Sequence, residues 1–301
     1  MILCCGEALI DMLPRKATSS EAVFAPYPGG AVFNTAIALG RLGEAAGLFT
    51  GLSNDLFGAR LDDALQASGV DASLALRSDR PTTLAFVSLE DGQAKYAFYD
   101  ENTAARMITP ADIPAVSDQV KALFFGGISL VADPCGGAYE ALMLRAAPDH
   151  ITMIDPNIRP GFITDEAAYR ARLGRMLAVA DIIKLSDEDL DWLGATPDAF
   201  LAEGYRLVLV TEGARGVQVF TPSGHTHVQA RKVDVVDTVG AGDTFNAGLL
   251  AGLSRADLLG KSRLSSATIA DLTPAVGLGV RAAAITVSRA GANPPWQKEM
   301  T

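Results

Sequence analysis

Two rhythms of hydrophobic residues alternate along the chain. Short, continuous apolar runs recur at Ile2–Cys5, Leu48–Gly51, Ala122–Gly126, Ile151–Asp155, Ile182–Leu185 and Leu207–Thr211. Runs of this length without polar interruption suit strands buried on both faces. Most are separated by segments with apolar residues at helical spacing: Ala31–Leu42, Leu56–Ala67, Ala138–Ala147, Glu166–Ala178, Thr244–Leu253 and Ala275–Val287. Strand runs alternating with helical runs predict βαβ units, hence an α/β fold with a mostly parallel sheet and helices on both faces.

Two regions follow a different pattern. Thr82–Leu89 and Ala94–Phe98 alternate apolar and polar residues about Asp91-Gly92, a strong turn signal, and predict a hairpin with one solvated face outside the main sheet. Gly216–Thr221 and Thr226–Gln229, around Pro222-Ser223-Gly224, predict a second hairpin at the sheet edge.

Composition narrows the functional classes. The 301 residues are 49% apolar, enough for one large domain. With 35 acidic and 25 basic residues the net charge is −10, which repels nucleic acid and anionic membrane surfaces and excludes both as expected partners. The three cysteines, Cys4, Cys5 and Cys135, have neither disulfide-framework nor zinc spacing. The first two read as small core residues, and a reducing, cytoplasmic location is expected. The first residues lack a basic segment, and Glu7 and Asp11 interrupt their apolar run. Arg281 and Arg289 break the Ala-rich segment near the end, so no stretch is expected to reach the ~18 residues of a bilayer span.

The segment Asp237-Thr238-Val239-Gly240-Ala241-Gly242-Asp243-Thr244 leads from an apolar stretch into a helix. Its small residues permit close backbone approach, and outward amides at a helix start bind phosphate oxygens. Asp243 reads in two ways: as an ordinary helix-start acid, or as a carboxylate placed where an acceptor hydroxyl meets a transferring phosphoryl group.

This segment resembles the C-terminal signature of PfkB-type carbohydrate kinases, and Gly29-Gly30-Ala-Val-Phe-Asn34-Thr-Ala-Ile-Ala-Leu-Gly40-Arg-Leu-Gly43 resembles the N-terminal one. The resemblance includes Gly6-Glu7…Asp11, Asp155-Pro156-Asn157-Ile158-Arg159-Pro160 and Val210-Thr211-Glu212-Gly213-Ala214-Arg215-Gly216, and so covers essentially the whole chain. It implies a three-layer ribokinase-like sandwich with a small β lid from about residues 12–28 and 79–106. It also implies transfer of the ATP γ-phosphoryl group to a sugar's primary hydroxyl. Asp243 would be the base, and Gly240, Ala241 and Gly242 the anion hole. Asp11, Gly29, Gly30 and Asn34 would hold the sugar, while Arg159 would reach the phosphates or the distal end of the substrate. Lys184, Thr211, Gly213, Gly216 and Thr238 would face the nucleotide.

The family's Asn-x-x-Glu motif is altered here to Ser186-x-x-Asp189, leaving Asp189 or Glu188 to organise Mg²⁺ through water, or the segment to serve only as a helix cap. The cofactors implied are ATP and Mg²⁺, with K⁺ as a further candidate. Within the family the chain looks most like bacterial fructokinases. The alternative substrate is 2-keto-3-deoxygluconate, whose carboxylate would need Arg106 or Arg159. A catalytically idle sugar-binding protein is the alternative of another class. An exposed lid sheet favours pairing with a second copy.

Two further patterns are set aside. Gly260-Lys261-Ser262 lacks the first glycine of a phosphate loop, because residue 255 is Arg. Gly277-Leu-Gly279 has no preceding strand and reads as a closely packed helix rather than a dinucleotide turn.

Overall fold

The structure is a computed structural model that describes residues 1–16, 22–90, 93–202 and 205–300. The chain begins with β1 (Ile2–Cys5), β2 (Leu9–Lys16), β3 (Ala22–Gly29), α1 (Ala31–Arg41), β4 (Ala46–Phe49), β5 (Gly51–Ser53) and α2 (Leu56–Ala67). It continues through β6 (Leu76–Ser78), β7 (Thr83–Glu90), β8 (Gln93–Tyr99), β9 (Ala122–Gly126), α3 (Cys135–Ala146), β10 (Ile151–Asp155), α4 (Glu166–Leu177) and β11 (Ile182–Ser186). The remainder comprises α5 (Asp187–Leu193), α6 (Pro197–Ala202), β12 (Leu207–Thr211), β13 (Val217–Thr221), β14 (Gly224–Val228), α7 (Ala241–Arg255), α8 (Lys261–Ser266) and α9 (Ile269–Val287).

The apolar runs become the main sheet, ordered β14-β13-β12-β11-β10-β9-β1-β4. From β12 to β4 every pairing is parallel, while β13 and β14 extend the β12 edge as an antiparallel hairpin. Strand alternation sends successive side chains into two cores. Ile2, Cys4, Phe124 and Met153 pack with α1, α2, α7 and α9. Leu3, Cys5, Phe125 and Ile154 pack with α3 and α4. All three cysteines are buried free thiols. The three-layer α/β arrangement is the one the sequence predicts.

A second sheet, ordered β3-β2-β7-β8, stands apart from the first, and a two-stranded sheet joins β5 to β6. The Asp91-Gly92 turn lies outside the described residues. The run expected at Leu48–Gly51 divides at Thr50 into β4 and β5.

The last helix begins earlier than periodicity predicts. Thr268 and Asp271 form a capping box that starts α9 at Ile269, and Pro274 is carried inside the helix. With 19 residues and a mean hydropathy of 1.2, α9 reaches the length and composition of a bilayer span, contrary to expectation; Arg289 falls beyond it. Half of the helix is nevertheless buried within the protein, as a core helix would be.

The α7–α9 contact explains the glycines in that region. A methyl carbon added at Gly248 would lie 2.6 Å from Gly279 Cα, and one at Gly252 would lie 2.4 Å from Ala275 Cα. Glycine therefore lets the two backbones touch, and the Gly277-Leu-Gly279 pattern is helix packing. Gly248→Ala would gain about 1 kcal/mol of helix propensity. Overpacking against a backbone atom costs about 1–3 kcal/mol, and so should dominate. We expect a lower Tm in thermal denaturation; a Tm at or above that of the unsubstituted protein would show that the helices separate without loss.

Candidate active site

Parallel sheets present their strand carboxyl ends to ligands. Above those ends, between the main sheet and the smaller one, lies a cleft of about 280 Å³. Its walls include Glu7, Leu9 and Asp11 near the start of the chain, Asn34 from α1, Tyr96 and Phe98 from β8, Arg159, Lys184, and residues 238–243 at the start of α7.

The α7 start is shaped by Gly240, in the left-handed region at φ 77°. An added Cβ there would also approach Ala292 Cβ to 2.7 Å, so conformation and space both require glycine. Asp237 braces the preceding turn by accepting from the Val239 and Gly291 amides at 3.0 and 2.9 Å. The first amides of a helix have no intrahelical acceptor, and at this end the helix dipole is positive.

Asp243 is the third residue of α7 and only 7% exposed. Its Oδ2 accepts from Asn34 Nδ2 at 2.9 Å, a partner on another helix. Burial pushes the carboxyl up to about 7; the Asn34 hydrogen bond and nearby Lys184 oppose that shift, and Asp155 adds to it. Such a carboxyl is poised to exchange a proton near neutrality.

Two further carboxylates line the cleft. A Cβ on Gly29 would meet Asp11 Oδ2 at 2.1 Å, so Gly29 makes room for that side chain. Burial, reinforced by Glu7, pushes Asp11 up to about 6. Gly29 itself ends β3 and does not line the cleft, whereas Gly30 does. Glu7, buried, accepts from the Ala31 amide at 2.9 Å and the Ser129 amide at 3.3 Å, and burial raises its pKa. In the sequence Glu7 stands out only as part of the Gly6-Glu7…Asp11 motif, and the signal for it is a carboxylate two residues beyond a fully buried strand.

Lys184 is buried, with Nζ 3.0 Å from Asp155 Oδ2, and Asn246 Nδ2 donates to the same oxygen at 2.7 Å. Burial works against its charge, but Asp155 and Asp189 outweigh that effect and raise its pKa. Nζ lies 3.4 Å from where a Cβ on Gly242 would stand, beneath the first turn of α7. Sequence reasoning places Lys184 toward the nucleotide; it lines the smaller cleft.

The acidic residues near position 188 have different uses. Asp189 accepts from Ser186 N and Oγ at 2.8 Å each and from Ile158 N at 2.8 Å, which braces the turn that carries Arg159. Glu188 is exposed, and neither acid lines either cavity. Among the described residues no group of three His, Cys, Asp or Glu could by itself hold a metal. Arg106 pairs with Asp100 at 2.9 Å and does not line the cleft. Arg159 does, exposed at its rim.

A second cavity of about 650 Å³ lies on the other side of the α7 start. Thr211, Gly213 and Gly216 line it with the apolar side chains of Val217, Phe245, Val280 and Val287, and with Arg231 and Lys232. Thr238, Ala241 and Gly242 line both cavities. Two ligands seated in these cavities would therefore meet at the α7 amides, with Asp243 facing the occupant of the smaller one. That geometry suits transfer of an anionic group from one ligand to a hydroxyl of the other.

The comparisons agree with this chemistry. The profile described as pfkB family carbohydrate kinase matches residues 1–299. A fructokinase of Rhizobium leguminosarum bv. trifolii is 54% identical over 272 residues, covering 88% of this chain and 83% of that protein. The structure of a fructokinase with bound ATP from Xylella fastidiosa superposes with a TM-score of 0.87 at 29% identity, covering 99% of this chain and 96% of that one. A Vibrio cholerae O395 fructokinase double mutant, in fructose, ADP and potassium ion bound form, gives a TM-score of 0.84 at 27% identity, covering 97% and 93%. Motifs, fold, site geometry and relatives lead to one assignment: this chain belongs to the pfkB family of carbohydrate kinases.

Proposed function

We propose that the chain is an ATP-dependent fructokinase that converts fructose and ATP to fructose 6-phosphate and ADP. The observation that carries this reading is the shared wall of the two cavities, with Asp243 on the smaller side of it. ATP occupies the larger groove, its base against the apolar wall and its γ-phosphate at the amides of residues 240–242. The primary hydroxyl of the sugar lies between that phosphate and Asp243. As the bond from the γ-phosphorus to its leaving oxygen breaks and the bond to the sugar oxygen forms, Asp243 takes the hydroxyl proton. The α7 amides and Lys184 stabilise the charge on the transferred group, and Arg159 adds positive charge at the rim. Mg²⁺ entering with the nucleotide would supply charge neutralisation at the phosphates, with no described acidic cluster holding it alone. K⁺ activation is the matching expectation from the potassium ion of the Vibrio fructokinase.

The charge of the smaller cleft supports a neutral sugar. Glu7, Asp11 and Asp243 all face it, and Arg106 is engaged elsewhere. Lys184, which also lines the cleft, is neutralised by Asp155, so among the described lining residues only Arg159 at the rim would offset repulsion between these acids and a substrate carboxylate. A neutral ketose avoids that repulsion, and its hydroxyls suit Asp11 and Asn34 as partners. Tyr96 and Phe98 on β8 support the reading of the smaller sheet as a lid over the sugar. Exposed Phe24, Tyr27 and Tyr99 on that sheet support a homodimer formed through it. Buried free thiols suit a reducing, cytoplasmic location.

The reading is tested by coupled ADP release with Mg-ATP and a panel of fructose, 2-keto-3-deoxygluconate, ribose and glucose. Fructose should give the highest kcat/KM; dominance of the keto acid would reassign the cleft, and no turnover with any sugar would favour a sugar-binding protein.

Asp243→Asn should lower kcat by at least about 10²–10⁴-fold while sugar binding persists. A second readout is structural. Because the folded protein holds this proton up to a pH of about 7 against an ordinary value of 3.8, the native state binds more protons between those limits. Asp243 therefore lowers stability progressively as pH rises from about 4 to about 7. The Asn variant should gain Tm relative to the parent across that window; an unchanged difference would contradict the buried, raised carboxyl.

The base must be ionised to accept a proton, so kcat/KM should fall on the acid side of about pH 7. Asn34→Ala removes a hydrogen bond that favours the ionised form and should move the acid limb to higher pH. A limb that stays in place would remove Asn34 from control of the base.

A further inference from the structure

Arg159 has an unusual setting for a group with a proposed part in transfer. Among the described residues its guanidinium is partnered by backbone carbonyls, those of Ile158 at 3.1 Å and Asn157 at 3.4 Å, and by no carboxylate. Its placement is thus set by the turn that carries it. That turn is braced at one end, where Ile158 N donates to Asp189 Oδ1 at 2.8 Å. Asn157 occupies the left-handed region at φ 46°, and Pro160 restricts its own φ. The turn closes where Phe162 N donates to Arg159 O at 2.9 Å, which puts the Phe162 ring and Arg159 on one short unit.

The other end of this unit meets the smaller sheet. Phe98, on β8, lines the cleft and packs edge-to-face on Phe162, with centroids 4.8 Å apart and planes at 63°. Tyr96, also in the cleft wall, stacks on Phe98 with centroids 5.8 Å apart and planes at 11°. Phe98 and Phe162 are both half-buried, so each keeps its cover only while the sheet and the turn stay together.

We propose that the Phe98–Phe162 contact is a latch through which the lid sheet sets the position of Arg159, making Phe162 a positioning residue for phosphoryl transfer. This rests on the kinase reading above and extends it. When the lid covers the sugar, the aromatic pair seats the turn and brings the guanidinium to the cleft rim. When the lid lifts, the turn loses that support and Arg159 loses its register with the transferring group. Transfer to the sugar is thereby favoured over transfer to water in an uncovered site.

The test is a set of double-mutant cycles on kcat, with KM for fructose and ATP and Tm measured for each variant. An edge-to-face pair contributes an amount equivalent to about two- to tenfold in rate. Phe162→Ala should lower kcat by about that factor, leave KM for ATP nearly unchanged, lower the Tm by only the few degrees that loss of a half-buried ring entails, and be rescued by Phe162→Tyr. In an Arg159→Ala background, Phe162→Ala should cause no further loss of kcat. Phe98→Ala, approaching the contact from the lid side, should likewise add nothing to the kcat loss of Phe162→Ala, although it also raises KM for fructose through its place in the cleft wall. Additive losses, or a change confined to KM, would overturn the latch. If the unsubstituted protein is active and the losses add, only the latch falls; if it phosphorylates no sugar, the kinase reading falls and the latch with it.

Discussion

To serve as the proposed base, a carboxylate at the first turn of α7 has to be buried enough to exclude water and yet available as an anion. Asp243 is held between these demands by Asn34 on α1, whose amide donates to one carboxylate oxygen. The contact is also a structural tie, because Thr35 of the same helix donates to the Asp243 carbonyl at 3.3 Å. α1 begins immediately after the smaller sheet and α7 immediately after the turn shared by both cavities. The Asn34–Asp243 pair therefore fixes the α1 wall of the smaller cleft relative to the α7 amides. On the proposed mechanism, a displacement there would alter attack geometry and base strength together.

The architecture was legible where one physical signal acted alone. β1, β9, β10 and β12 need no partner other than apolar contacts on both faces, and their runs mark them directly. The start of α9 is less legible because its apolar periodicity shows only from Ala275, whereas the Thr268–Asp271 box sets the helix beginning before Pro274. α5 is the opposite case: in seven residues the apolar period barely repeats, and the Ser186–Asp189 box, readable in the sequence as a helix cap, is the main local signal. That same box explains why Asp189 is ambiguous in sequence. A cap and a metal ligand both require an acid at that position, and only the Ile158 and Ser186 donors around it reveal its structural use.

The candidate site was legible in its backbone and less so in its walls. Glycines at 240 and 242 and the acid at 243 follow from the close approach that an anion demands, so their spacing carries information. Tyr96 and Phe98 carry none of that kind, since aromatic residues on a half-exposed strand are equally at home in any hairpin. Val280 and Val287 read as core residues of α9, and only the placement of that helix beside β13 and the α7 start turns them into the wall of the larger cavity. Arg106 shows the converse: its charge invited a substrate role, while local geometry gives it to Asp100.

The most telling residue for function is the one that stability alone would not select. A buried ion pair such as Lys184–Asp155 loses two hydration shells, and replacement by packed apolar side chains is often neutral or favourable. Here the pair carries a further burden, since Asp155 Oδ1 and Asn246 Oδ1 are buried without a hydrogen-bond partner among the described residues. A site optimised for folding would not keep such an arrangement in the middle of its sheet. One that must hold a fixed ammonium beneath the α7 amides would, because Asp155 and Asp189 keep Lys184 charged, and Asp155, itself held by Asn246, keeps it stationary before any ligand arrives. Positive charge placed in advance stabilises a developing anion without reorganisation during the reaction. The energetic weakness beneath α7 and the proposed catalytic strength above it are thus two consequences of the same buried cation.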